Sequence, residues 1–221
     1  MFGTRRRLEA FYYNPVASDL VSVLRRGAVR IDRLDGVAKV FGVGRFKHIY
    51  KDTGLAYIDS EDLFKVNPEI TKYIPVQQKA NAESYFVKRD WLLLACSGQL
   101  YGLIGNTAFG GCWHENKIIS NHVIRIVPES IDPGYLHVAL SHPRLGRPSL
   151  TRLAFGTEVP EIAPFDLYDV PVPRLTNEKE LQIGELARTA RELRDNADEI
   201  ENNTTEALER ELNWINELLP N

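Results

Sequence analysis

Two cysteines, a tryptophan, two histidines and several amides crowd into "LLLACSGQLYGLIGNTAFGGCWHENKIISNHVIRIVP", residues 92–128. Three chemistries suit residues of these types: a metal site, a nucleophile, or a surface that reads a ligand. Cys96, Cys112 and His114 carry the thiol and imidazole groups that bind zinc. They lack a C-x2-C pair and an evident fourth ligand, and a free cysteine at the end of an apolar strand, as Cys96 is, usually belongs to the core. Cys112 and His114 are two residues apart, whereas nucleophile–base pairs usually meet across a fold. Ser97-Gly98 lacks the first glycine of G-x-S-x-G. Gly42-Val43-Gly44 is a G-x-G without the later glycine of a phosphate loop. Tyr12-Tyr13-Asn14-Pro15 is similar to the Asn-Pro-Pro-aromatic motif of amino-methyltransferases, but Val16 stands where the second proline belongs, and no glycine-rich cofactor loop accompanies it. The expectation is no catalytic residue, no metal and no cofactor.

A reading surface remains. Arg45, Lys47, Tyr50 and Lys51 form a basic stretch interleaved with Phe46 and His48. Gln99, Tyr101, Asn106, Trp113, Asn116 and Lys117 populate the glycine-rich stretch, and Arg147, Thr151 and Arg152 follow in "SHPRLGRPSLTRLAFG". Arg, Lys, Asn and Gln pair with base edges, while Ser, Thr, Lys and Arg hold phosphates. The plain alternative is three solvated loops on an ordinary scaffold.

The elements that must position these residues read as α+β: a mixed, strand-rich body followed by a long C-terminal helix. A short helix is expected over residues 18–26, with Ser18 as its cap. Strands are expected at 28–31, 37–41, 55–58 and 122–127, a hairpin at 85–87 with 91–95, and a helix at 132–140 with Pro133 at its first position. From Asn177 to Leu219 there is no proline and a single glycine, Gly184. Apolar or small residues recur there at steps of three and four, at Ile183, Leu186, Ala190, Leu193, Ala197, Ile200, Thr204 and Ala207. The phase then slips to Leu208, Leu212, Ile215 and Leu219. About 43 residues make a rod of roughly 64 Å, too long to bury its seam on a body of this size. Another helix, packed antiparallel, is the expected partner; the alternative is a helix folded back on its own body. The chain therefore divides into a body, residues 1–174, and a coiled-coil helix, residues 175–221.

The 221 residues, 43% hydrophobic, suffice for one good core or one domain with an extension. Net charge is −3, but residues 175–221 hold five basic and twelve acidic groups. The remainder, with 22 basic and 18 acidic residues, is net positive. A modestly basic body thus carries an acidic tail. Two cysteines fit a reducing compartment better than a disulfide scaffold. No apolar run approaches the roughly 20 residues of a membrane span, and no apolar signal core follows the basic N-terminus. A soluble cytoplasmic protein is expected.

Several ordered segments resemble one half of a specificity subunit of type I restriction–modification systems. "RRRLEAFYYNP" resembles that family's Arg-Leu-(Asp/Glu)-Ala-x-Tyr-Tyr-x-Pro opening, and "GLAYIDSEDL" its Gly-(Ile/Leu)-x-x-Ile-x-x-x-Asp-Leu segment. "VKRDWLLLACSG" resembles its central strand, with Arg89 where glycine is common. "ISNHVIRIVP" and "PGYLHVALSHP" resemble the next strand and helix, and "PFDLYDVPVPRL" the hinge before the long helix. The glutamine usual after that hinge is missing, and a full member carries two recognition domains and two long helices where this chain has one of each. The resemblance implies a non-catalytic target-recognition domain that binds double-stranded DNA. It also implies methyltransferase subunits as partners, with or without a nuclease subunit, and pairing with a second copy or a second half-subunit through the helix. Two other functions fit the residues alone: a protein-interaction adaptor that dimerises through its helix, and a small hydrolase using Cys112 or Ser97.

Overall fold

The computed structural model describes residues 10–45, 47, 49–78, 82–156 and 158–212. Nine strands are found among them: β1 (Arg30–Arg33), β2 (Ala38–Phe41), β3 (Leu55–Ile58), β4 (Tyr73–Ile74), β5 (Leu92–Ala95), β6 (Thr107–Phe109), β7 (Ile118–Ile119), β8 (Val123–Pro128) and β9 (Pro171–Arg174). The α-helices are α1 (Pro15–Gly27), α2 (Pro133–Ser141), α3 (Gly146–Thr151) and α4 (Asn177–Glu211). The architecture is α+β, with a strand-rich body and a long C-terminal helix.

The centre of the body is an antiparallel sheet in the order β2-β8-β5-β6. All four residues of β5 are buried. Successive side chains on a strand face opposite ways, so Leu92 and Leu94 join a large core with Leu136, Leu140 and Leu150. Leu93 faces a second core with Ile58, Val87, Ile119 and Val123. That double burial explains why β5 reads as an unbroken apolar run. It also overturns the expected hairpin: residues 83–85 form a short 3-10 turn, and β5 pairs instead with β6 and β8. A second sheet, β4-β3-β7, has one antiparallel and one parallel pairing.

Arg125 clamps the two sheets together. It lies in β8 and is fully buried. Its guanidinium donates to the carbonyls of Ser120 (3.0 Å), Ile119 (2.6 Å) and Tyr85 (3.1 Å). Burial pushes its pKa down to about 10, which leaves it charged at neutral pH.

The remaining differences from expectation are local. α1 begins at Pro15 rather than after Ser18, because proline's fixed φ suits the first helical position. Pro171 and Pro173 do not simply close the body: they lie in β9, which pairs with β1 in a two-stranded ribbon of edges, where proline is tolerated. α2 starts as expected, with the Asp132 carboxylate accepting from the Tyr135 amide at 2.9 Å.

α4 follows β9 directly and presents two different faces. One docks on the body. Glu180 accepts two bonds from the Arg174 guanidinium, at 2.8 and 2.9 Å, and one from the Leu175 amide at 2.9 Å. Gly184 meets Gly134 of α2 backbone to backbone; a Cβ on Gly134 would stand 2.3 Å from the Gly184 carbonyl oxygen. Arg188 pairs with Asp132 at 2.8 Å. Arg191, almost fully buried, reaches Asp90 at 2.6 Å and the Gly110 carbonyl at 2.9 Å, and lies over the Phe109 ring. The other face is apolar and bare: Leu186 is 72% exposed, Leu193 63%, Ile200 66% and Leu208 57%. At 3.6 residues per turn, Leu186, Leu193 and Ile200 project away from the side of Glu180, Gly184 and Arg191. Docking on the body and an open apolar stripe, posed as alternatives by the periodicity, occur together. Ala190 and Ala197 are exposed beside the stripe, Ile183 and Leu212 are half-buried, and Ile215 and Leu219 lie outside the described residues.

Candidate nucleic-acid interface

The stretch that looked like one reading loop is split by β6. β5 runs toward Ser97, β6 returns, and β7 runs back toward Ser120. Residues 97–106 therefore stand at one end of the central sheet, and residues 110–117 at the other, beside α4.

The first end carries a braced loop. Gly98 and Gly105 take φ of +132° and +80°, a region that disfavours side chains. A Cβ on Gly105 would also press on Thr151. The Gly98 amide donates to the Pro160 carbonyl at 3.2 Å, Ile162 N donates to the Cys96 carbonyl at 2.7 Å, and Arg147 donates to the Gly102 carbonyl at 3.0 Å. Thr151 bonds back to the Arg147 carbonyl at 3.1 Å. Arg152 stacks its guanidinium on Tyr12 with 5.1 Å to the ring centroid. Arg147, Thr151 and Arg152 are thus half-buried residues with internal contacts, while Asn106 is half-buried where the loop re-enters β6. What the brace presents is Gln99, exposed, and Tyr101, 92% exposed.

β2 ends at this same end of the sheet, since Phe41 pairs with Arg125 and β8 begins at Val123. The segment leaving it carries Arg45, Lys47 and Lys51, all exposed, and Tyr50, partly exposed against Tyr57. The Tyr85 hydroxyl donates to the Gly44 carbonyl, and the Lys51 amide to the Tyr73 carbonyl at 2.9 Å, which anchor the segment at both ends. Phe46 and His48 lie outside the described residues.

The second end holds Trp113, Asn116 and Lys117. Asn116 is exposed with φ of +61°, a left-handed conformation that asparagine tolerates. Lys117 donates to the Trp113 carbonyl and lies 4.6 Å from the centroid of the Trp113 ring. Burial lowers its pKa. The Cys112 amide donates to the Asp195 carboxylate at 3.1 Å, and Arg89 pairs with Glu192 at 2.7 Å, so this loop is tied to α4.

The alternative chemistries can be weighed on geometry. His114 Nδ1 accepts from the Gly111 amide at 3.1 Å, and burial pushes its pKa down to about 4. The Cys112 sulfur accepts from Arg89 at 3.3 Å. Both groups of that supposed catalytic pair thus have other partners. The Cys96 thiol is pushed up to about 11 by burial, far from a reactive thiolate. Among the described residues no group of three or more His, Cys, Asp or Glu is placed to hold a metal ion. One contact was not anticipated: Ser97 Oγ and His122 Nδ1 lie 2.7 Å apart. That separation suits a nucleophile and base, but it also fastens the ends of β5 and β8, where Cys96 N donates to the His122 carbonyl and Ser97 bridges to Glu161. Sequence spacing carried no signal for it, because the partners sit 25 residues apart.

No family model matches the sequence, and no curated protein matches it. Solved structures do. The S subunit of a type I restriction–modification system from M. genitalium aligns with a TM-score of 0.50 at 14% identity, over 72% of this chain and 37% of that one. The HsdS subunit from Thermoanaerobacter tengcongensis aligns with a TM-score of 0.50 at 16% identity, over 83% and 44%. The chain has the S-subunit fold. It spans less than half the length of either neighbour. Among its described residues no helix is long and apolar enough to cross a membrane.

Proposed function

We propose that this chain is the DNA-recognition subunit of a type I-like restriction–modification complex, without catalysis of its own. In this reading residues 1–174 read a short sequence in duplex DNA. Residues 175–221 pair antiparallel with the same helix of a second copy, or of a second half-subunit. They set the distance between two recognition domains and give methyltransferase subunits, with or without a nuclease, a place to dock in the cytoplasm. The observation that carries the reading is the braced loop tip of Gln99 and Tyr101 on an S-subunit fold, at the sheet end where β2 leads into the segment of exposed Arg45, Lys47 and Lys51. Cations attract phosphates, and an amide and a phenol on a fixed backbone suit base edges. Trp113, Asn116 and Lys117, at the helix end, form a separate contact set. The bare stripe on α4 supports the pairing, and the acidity of the helix suits a spacer kept off the phosphates.

Titrating a duplex with the protein at rising salt tests this. Log K should fall linearly with log salt, and neutralising a phosphate-bound Arg45, Lys47 or Lys51 should lower the slope by about one unit. Absence of duplex binding at low salt, with a polypeptide bound instead, supports the adaptor.

A further inference from the structure

An apolar cavity of about 330 Å³ lies at the root of α4, lined by Val23 and Leu24 of α1, Val138 and Ala139 of α2, and Pro173 and Leu175 of the hinge. Val23, in its lining, is 47% exposed. Nothing in the proposed DNA contacts uses this side of the body.

We propose that this cavity receives the Leu212–Leu219 segment of a second copy of the chain, an inference that rests on the antiparallel pairing of α4. The 35 residues of α4 carry its C-terminus about 52 Å from the cavity. Eight extended residues reach at most about 28 Å, so a chain cannot bring its own Leu212–Leu219 back. An antiparallel copy delivers that segment to the right place. With Asn177 of one helix level with Glu211 of the other, the residues after Glu211 start alongside Leu175. The segment "LNWINELL" is apolar at Leu212, Trp214, Ile215, Leu218 and Leu219, with Leu212, Ile215 and Leu219 at steps of three and four. An apolar cavity and an apolar segment meet where the pairing puts them, and each covers surface the other leaves in water. The bare stripe, the segment and the cavity then form one continuous interface, repeated twice about the two-fold axis.

Cross-linking tests the docking separately from the pairing. In a Cys96→Ser, Cys112→Ser background, one chain carries Ala139→Cys and the other Leu218→Cys. The two are mixed and oxidised. A covalent pair is expected in the mixture and not in either chain alone. In parallel, Ile215→Asp with Leu218→Asp should weaken self-association at least tenfold by sedimentation, leaving the circular dichroism of the body unchanged. A dimer that forms no mixed disulfide and ignores the aspartates overturns the docking while the pairing stands. Chains that sediment as monomers at every concentration overturn both.

Discussion

Replacing Leu193 with glutamate isolates what the bare face of α4 is for. In the single chain Leu193 is 63% exposed and makes none of the ion pairs that hold α4 to the body. Leu193→Glu should therefore change the stability of the isolated chain by no more than about 0.5 kcal/mol, as for most surface substitutions. In an antiparallel pair the position is near the middle of the helix and is buried from both copies. Full burial of a leucine is worth about 2 kcal/mol. With roughly two-thirds of the side chain still to cover, each copy loses about 1.3 kcal/mol and the pair about 2.5. Placing two carboxylates in the seam adds about 2 kcal/mol more. A total of about 4–5 kcal/mol raises the dimer dissociation constant roughly a thousandfold. Sedimentation equilibrium of wild type, Leu193→Glu and Glu199→Gln, a change away from the stripe, measures it. Circular dichroism confirms that each variant is folded. A wild type that stays monomeric, or a Leu193→Glu variant that dimerises as tightly as wild type, refutes the reasoning.

Other positions make independent predictions. Arg125→Met should cost about 3 kcal/mol or more in urea unfolding, because the carbonyls of Tyr85, Ile119 and Ser120 lose their donor inside the protein. Burial holds His114 and His137 at a pKa of about 4, below the ordinary 6.5, so the folded state binds fewer protons than the unfolded state between these values. Stability should therefore be full above about pH 6.5 and fall as pH drops toward 4, by up to about 3 kcal/mol for each histidine. Urea midpoints at pH 7 and 5 measure this, and His137→Gln should flatten the dependence. A thiol reagent at pH 8 should modify one cysteine quickly, Cys112, which is exposed; Cys96, half-buried and with its pKa at about 11, should react only as the protein unfolds. Equal rates for the two contradict the burial of Cys96.

The sequence was most legible where a single periodicity governs a segment. The start of the long helix at Asn177, the strand Leu55–Ile58 and the capped helix after Asp132 were all readable, since each has clear punctuation at its start. Pairing was less legible. Lys88-Arg89-Asp90 looked like a hairpin turn, and Asp90 does take a φ of +68°. But a strand buried on both faces takes its neighbours from far along the chain, and the three-residue β6 was hidden between glycines. Arg125 was unreadable for a related reason: an arginine inside "VIRIVP" suggests a solvent-facing position, and only the meeting of two sheets supplies the carbonyls that bury it. On α4 the seam arithmetic found the stripe of Leu186, Leu193 and Ile200. It missed the docked face, made of Glu180, Gly184, Arg188 and Arg191, because charged and small residues carry no hydrophobic signal. Among the candidate reading residues, the sequence could not sort those that brace a loop from those that are displayed. Arg147 and Thr151 brace a loop, Gln99 and Tyr101 are displayed by it, and Trp113 and Lys117 belong to the other end of the sheet.

Selection from a randomised duplex library by the chain assembled with methyltransferase subunits tests the central claim most directly. The account predicts enrichment of two short half-sites separated by a nonspecific gap, inverted repeats of each other for a homodimer. Changing Gln99 or Tyr101 should relax or alter a base in each half-site at a cost of about 1–3 kcal/mol. A library that emerges without an enriched sequence, or an enriched sequence indifferent to both residues, contradicts it.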